Sequence, residues 1–176
     1  FLDLKRHDIP KTVQKAMENL ARLQVDMVNV HAAGTRAMMM AAREGLNAGG
    51  APDAKLIAVT QLTSTSQAGM QEELWIAHGL NDTVIHYAGN AKAAGLDGIV
   101  CSPLEARMVK DACGEGFLTV TPGIRYPSGS MDDQVRITTP QKAREIGTDY
   151  IVVGRPITAA ADPVAAYNQV KADFVG

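Results

Sequence analysis

Phe1-Leu2-Asp3-Leu4-Lys5-Arg6-His7-Asp8-Ile9-Pro10 reads as a strand that carries charge to its own end. Phe1, Leu2 and Leu4 favour a buried strand over Phe1–Lys5, and a period of two places Asp3 and Lys5 on one face. Asp8 follows just past the strand, so two carboxylates and an ammonium are expected to meet at one spot. Burying charge is costly unless the charges are paired, so three charged groups in a core-like strand need a reason. An isolated Asp-x-Lys is well explained by a structural ion pair capping a strand. The longer string Asp3-x-Lys5-x-x-Asp8-Ile9-Pro10 is far more specific, and the remainder of the chain decides what it means.

Apolar runs and helical patterns alternate from end to end. Strands are expected at Phe1–Lys5, Asp26–His31, Lys55–Leu62, Gly98–Cys101, Phe117–Thr121 and Tyr150–Val153. They are nearly all apolar, as parallel strands covered on both faces are. Val13, Ala16, Met17, Leu20 and Ala21 form a helical stripe. Ser102-Pro103-Leu104-Glu105 is a capping box with proline at the first helical position, and Gly114 closes that helix. Thr139-Pro140 and Asp162-Pro163 open two more helices, the first closed by Gly147. No linker or low-complexity stretch interrupts the alternation, so residues 1–176 are expected to make a single domain.

β-α units of roughly 30 residues suit either an open doubly wound sheet or an eight-stranded barrel. No Gly-x-Gly-x-x-Gly follows the first strand, which weakens the dinucleotide-binding alternative. The expected fold is therefore an α/β TIM (β/α)8 barrel. Six strands are legible where eight are needed, and the chain begins inside a strand without methionine or leading cap. The expectation is the C-terminal six β-α units, with the first two absent from this sequence.

The 17 Lys+Arg and 19 Asp+Glu residues leave a net charge of −2, which gives no general pull toward nucleic acid or anionic membrane. No apolar run reaches the ~18 residues needed to span a bilayer, and no signal-like segment opens the chain. Cys101 and Cys113 lack Cys-x-x-Cys spacing, so reduced thiols in a cytoplasmic protein are expected rather than a disulfide or zinc site.

Function in such barrels sits at the C-terminal strand ends, with phosphate often held after the last two strands. The last two strands here run into Thr121-Pro122-Gly123-Ile124-Arg125 and Val153-Gly154-Arg155-Pro156-Ile157. Each offers a glycine N–H for close approach to an anion and an arginine for bidentate contact. Either pair alone is an ordinary turn; two at neighbouring strand ends favour a phosphorylated small substrate. The loop from Tyr126 to Arg136 exceeds the ~2–6 residues usual after a strand; it reads either as a surface excursion or as a lid closing over a phosphate, with Gln134 as a contact. Thr60-Gln61-Leu62-Thr63-Ser64-Thr65-Ser66 gathers hydroxyls that would serve either as a helix cap or as readers of a heterocycle edge. His31 ends a strand without evident acidic partners, and His78 and His86 look helical, so no metal site is expected.

In order along the chain, Phe1-Leu2-Asp3-Leu4-Lys5-x-His7-Asp8-Ile9-Pro10, Val28-Asn29-Val30-His31-Ala32-Ala33-Gly34, Leu62-Thr63-Ser64, Thr121-Pro122-Gly123-Ile124-Arg125, Asp133-Gln134 and Val153-Gly154-Arg155 resemble bacterial orotidine 5′-phosphate decarboxylases. The resemblance implies a homodimeric TIM barrel that converts orotidine 5′-monophosphate to UMP and carbon dioxide in pyrimidine biosynthesis, without cofactor or metal. It makes Lys5 the proton donor with Asp3 beside it. Asp8, Ile9 and Thr12 would reach into the partner's site. Thr63 would lie near the pyrimidine, with Ser66 also placed to contribute. Arg125, Gln134, Gly154 and Arg155 would hold the phosphate. Lys11 departs from the family's usual asparagine. The family also uses an aspartate on the first barrel strand and a lysine on the second, neither of which is present here.

Two rival readings accompany this one. A magnesium-dependent sugar-phosphate decarboxylase or aldolase of the same barrel superfamily carries a similar Asp-x-Lys-x-x-Asp string, but lacks the hydroxyl cluster at Thr63–Ser66. A catalytically dead phosphate-binding domain that only senses or stores a nucleotide has the start of the chain inside a strand as its sole support.

Overall fold

The computed structural model of the chain describes residues 1–126 and 137–176. Six parallel strands lie side by side in chain order: β1 (Leu2–Arg6), β2 (Met27–His31), β3 (Lys55–Val59), β4 (Gly98–Val100), β5 (Leu118–Thr121) and β6 (Tyr150–Ile151). Between and after them run α1 (Pro10–Ala21), α2 (Thr35–Ala48), α3 (Gln67–Glu72), α4 (Leu80–Ala93), α5 (Ala106–Cys113), α6 (Pro140–Ile146), α7 (Arg155–Thr158) and α8 (Pro163–Val175). Every strand expected from sequence is present. Ser102 and Glu105 form the expected capping box, which opens a short 3-10 turn leading into α5. Thr139 and Asp162 cap α6 and α8, and Gly147 closes α6 in the left-handed conformation.

Successive residues along the central strands go to opposite layers. Val28, Val30, Leu56, Ala58 and Ile99 join Val13, Met17, Met38, Met39, Leu46, Val84, Ala88 and Val109 in a large core between sheet and helices. Their neighbours Met27, Ile57, Val59, Val100 and Val120 form a second cluster on the other face, with Val152 packed against it. This is the period-two alternation of a sheet buried on both sides. The second cluster draws β2 through β5 together, which makes that face the concave interior of a half-barrel. Helices α1 and α2 meet closely because Gly45 has no side chain: a Cβ there would lie 2.2 Å from the Gln14 carbonyl oxygen.

Two of the strand pairings, β3 with β4 and β5 with β6, are tied by the same device. Asp97, just before β4, accepts from the Leu56 N–H of β3 at 2.7 Å and pairs with Arg43 of α2 at 2.5 Å. Asp149, just before β6, accepts from the Thr119 N–H of β5 at 2.7 Å and pairs with the buried Lys110 of α5 at 2.7 Å. In both, one carboxylate ties a strand to the helix before it and to the strand after it, and carboxylate hydrogen bonds of this charge-assisted kind are the strong ones.

The expectation that Phe1–Lys5 is buried is corrected. Phe1 is 49% and Leu4 47% exposed, because β1 is an edge strand paired only with β2. β6 is the other edge, with Tyr150 half exposed beside an apolar hollow formed with Tyr167, Val170 and Phe174 of α8. His78 is not helical as expected; it lies between α3 and α4, while His86 is in α4.

Candidate active site

β1 does not run regularly against β2. Leu2 pairs with Val28 and Arg6 with Val30, so four steps along β1 span two along β2. The slack is taken up around Lys5, whose φ of +49° lies in the left-handed region that non-glycine residues seldom occupy. Such bulges re-aim side chains at functional sites. Here the irregularity brings the Lys5 ammonium to 2.6 Å from Asp3 Oδ2, with the two side chains 40% and 37% exposed.

The bulge is held from β2. The Lys5 N–H donates to Asn29 Oδ1 at 2.7 Å, and Asn29 Nδ2 donates to Asp3 Oδ1 at 2.5 Å. Asn29 is fully buried on the strand face that looks into the half-barrel, in register with Ile57 of β3. Asn29 is not among the site residues expected from sequence. The signal was a lone amide inside the apolar run Met27–Val30, where a polar group must find hydrogen bonds to be tolerated.

Asp3 and Lys5 form one wall of a pocket of about 210 Å³ at the C-terminal ends of the strands. Gln61, Leu62, Thr63 and Ser64 after β3 line a second side, and Val59, Val100, Cys101, Pro122 and Val152 supply apolar surface. Such a pocket pairs a few polar groups with an apolar wall, as small-molecule sites do. The hydroxyl cluster divides its work: Thr63 and Ser64 face the pocket, whereas Ser66 caps α3 by accepting from the Gly69 N–H at 3.1 Å.

Asp8 does not join the pair. Its Oδ1 accepts from the N–H of Ile9 at 2.7 Å, and among the described residues Lys5 has an ion pair with Asp3 alone. The expected meeting of three charges at one spot therefore does not occur within one chain; the local turn at Asp8 wins. Ile9, 68% exposed, and Thr12, on the first turn of α1, both face outward.

Pro122 and Gly123 turn the chain after β5, with Gly123 at a φ of +90°. The Arg125 N–H donates to the Thr138 carbonyl at 2.9 Å, and the Thr138 N–H to that of Gly123 at 3.0 Å, which closes the base of the long loop. Arg125 is buried; its Nη1 donates to the Ile124 carbonyl, and among the described residues its Nε has no hydrogen-bond partner. Gly154 and Arg155 are exposed at the start of α7. Gln134 and most of the expected lid lie outside the described residues. Tyr126, at the loop's start, donates its hydroxyl to Asp173 Oδ2 of α8 at 2.5 Å. Burial and that carboxylate push the phenol up, and the same bond holds Asp173 below the ordinary carboxylate range.

Above the pair, the rings of His7 and His31 lie 5.7 Å apart. Burial, then the nearby His7 and Lys5, lower the pKa of His31, against a smaller opposing effect of Asp3. No three His, Cys, Asp or Glu side chains among the described residues gather as a metal-binding group. No helix among them is long and apolar enough to cross a membrane.

A family model described as Orotidine 5'-phosphate decarboxylase / HUMPS family matches residues 1–170. An orotidine 5′-phosphate decarboxylase of Geobacillus thermodenitrificans is 59% identical over 179 residues, covering 100% of this chain and 75% of that protein. One of Listeria innocua is 60% identical over 176 residues, covering 99% and 76%. The crystal structure of orotidine 5′-phosphate decarboxylase from Lactobacillus acidophilus has a TM-score of 0.87 at 44% identity, covering all of this chain and 75% of that one. The likeness thus extends over both the fold and the stretches that build the pocket, and the chain belongs to the orotidine 5′-phosphate decarboxylase / HUMPS family.

Proposed function

We propose that this protein decarboxylates orotidine 5′-monophosphate to UMP in pyrimidine biosynthesis, as a cytoplasmic homodimer without cofactor or metal. The observation that carries the proposal is the Lys5–Asp3 pair, held by Asn29 in the wall of a pocket that also presents Thr63. Loss of carbon dioxide leaves a carbanion at C6 of the pyrimidine. A cation already fixed at that carbon stabilises the developing charge and then delivers the proton, and Lys5 takes both parts. Asp3 keeps the ammonium charged and aimed, since a neighbouring anion favours the protonated form. Thr63 reads the polar edge of the base. Arg125, Gln134, Gly154 and Arg155 hold the phosphate, and binding energy from that remote group is spent on the chemical step.

Asp8, Ile9 and Thr12 act in the partner's site. Their outward position at the start of α1, and the engagement of Asp8 by Ile9 rather than by Lys5, support this assignment. The open edges at β1 and β6 support an eight-unit (β/α)8 barrel to which this chain contributes six units.

The test is turnover of orotidine 5′-monophosphate by the full-length enzyme, followed by its loss of absorbance. Lys5→Ala is expected to lower kcat by at least ~10²-fold, the scale of a positioned proton donor. Chelators are expected to leave activity intact. Unchanged turnover in Lys5→Ala overturns the role of Lys5, and a magnesium requirement overturns the cofactor-free reaction.

A further inference from the structure

We propose that Asn29 is a positioning residue of the decarboxylase, one that sets the geometry of the Lys5–Asp3 pair from the neighbouring strand; the inference rests on the function proposed above. Three short contacts form a closed loop: Lys5 N–H to Asn29 Oδ1 at 2.7 Å, Asn29 Nδ2 to Asp3 Oδ1 at 2.5 Å, and Lys5 Nζ to Asp3 Oδ2 at 2.6 Å. The chemistry of the partners fixes which way the amide points. A backbone N–H requires an acceptor and a carboxylate requires a donor, so only the carboxamide supplies both at that spacing.

Asn29 thereby does two things that no other described side chain does. It holds the Lys5 backbone at a φ of +49°, a conformation that costs energy unless its surroundings enforce it. It also occupies one Asp3 oxygen, leaving the other for the ammonium. Asn29 is buried in the concave layer between β1 and β3, so its own position is set by packing rather than by solvent. A constellation supported in this way keeps its reacting groups within the narrow tolerance that catalysis demands. The titratable groups about Asn29 are Asp3 and Lys5 of β1, with His7 and His31 toward the rim; on β3 its register partner is Ile57.

The test compares Asn29→Ala and Asn29→Asp with the unsubstituted full-length enzyme, using turnover of orotidine 5′-monophosphate and binding of UMP. Asn29→Ala is expected to lose roughly 10²-fold in kcat, the scale of a small misplacement of a reacting group, while UMP affinity changes little. Asn29→Asp is nearly isosteric and keeps the acceptor for the Lys5 N–H, but sets a second anion against Asp3. Its kcat is expected to rise as pH falls from about 8 to about 6, because a proton shared by the two carboxylates restores the missing donor. A kcat within about threefold of the parent in Asn29→Ala overturns the inference, as does an Asn29→Asp enzyme with the parent's pH profile. Parallel loss of kcat and UMP affinity in both variants overturns it too, reducing Asn29 to a packing residue. Absence of turnover in the unsubstituted enzyme refutes the decarboxylase reading, and the role of Asn29 falls with it; turnover there with unaltered variants refutes the role of Asn29 alone.

Discussion

Thr63 and Ser66 stand three positions apart in one polar run, yet their hydroxyls face different duties. Thr63 lines the pocket beside Lys5, whereas Ser66 accepts from the Gly69 N–H to cap α3. Thr63→Val is therefore expected to weaken UMP binding by about tenfold, the worth of one hydrogen bond, with little change in thermal stability. Ser66→Ala is expected to do the reverse, costing about 1 kcal/mol of stability as a lost helix cap while leaving affinity nearly unchanged. Isothermal titration with UMP and thermal unfolding of the two variants separate these outcomes. His31 adds a pH dependence at the same scale. Because its folded pKa lies below the unfolded value, the unfolded chain binds protons more readily, and stability is lost as pH falls through and below the ordinary histidine range. Unfolding midpoints in denaturant, measured across that range, are expected to fall toward acid less steeply in His31→Gln than in the parent. Equal slopes would assign the acid sensitivity to other groups.

Two of the strand pairings, β3 with β4 and β5 with β6, are tied by carboxylates at the opposite strand ends from the pocket. Asp149 joins β5, β6 and α5 through the Thr119 N–H and Lys110, and Asp97 does the same for β3, β4 and α2. Lys110 is buried, so Asp149→Ala would strand its ammonium without a counter-charge; the expected loss is about 3 kcal/mol. Urea unfolding measures it, and a loss below about 1 kcal/mol would mean that water or neighbouring carbonyls replace the carboxylate. The Lys110 Nζ contact with the Glu115 carbonyl at 2.8 Å is too weak a counter-charge to prevent this. The double Lys110→Met, Asp149→Ala variant is expected to recover part of the loss, since no charge is then left buried. The Gly-Leu-Asp of Gly95–Asp97 and the Gly-Thr-Asp of Gly147–Asp149 mark this device in the sequence as a glycine that ends a helix and an aspartate that begins a strand.

At the scale of the molecule, the carboxylate of Asp8, turned to the Ile9 N–H rather than to Lys5, carries the consequence of dimerisation. In the proposed shared site, each catalytic centre takes Lys5 from one chain and Asp8 from the other. Lys5→Ala and Asp8→Ala, each inactive alone, are then expected to regain activity when mixed and allowed to exchange subunits. One site of the mixed dimer recovers both residues and the other lacks both, so the recovered activity approaches half a site per chain pair at most. Exchange demonstrated without recovery would place Asp8 in the site of its own chain.

Six apolar runs bounded by Pro- and Gly-marked helices were enough to order β1 through β6, because buried parallel strands and helix caps are written in local pattern. The family was legible for the same reason: Asp3-x-Lys5-x-x-Asp8 and the Gly123 and Gly154 turns are contiguous strings. Pattern failed where the answer depended on what lies alongside. Phe1 and Leu4 look like core residues but are exposed, since burial of an edge strand depends on a neighbour and not on its own composition. Strict alternation puts Asp3 and Lys5 on one face without revealing the bulge at Lys5, where the backbone N–H donates to the amide of Asn29, 24 residues later. Asp8 was expected beside Lys5 and instead turns to the Ile9 N–H, a choice made by loop geometry. Local pattern carries the elements, their order and the chemical cast; which polar groups touch is settled in three dimensions, because hydrogen bonds across strands depend on register, and register is set by packing over distances that no local pattern records.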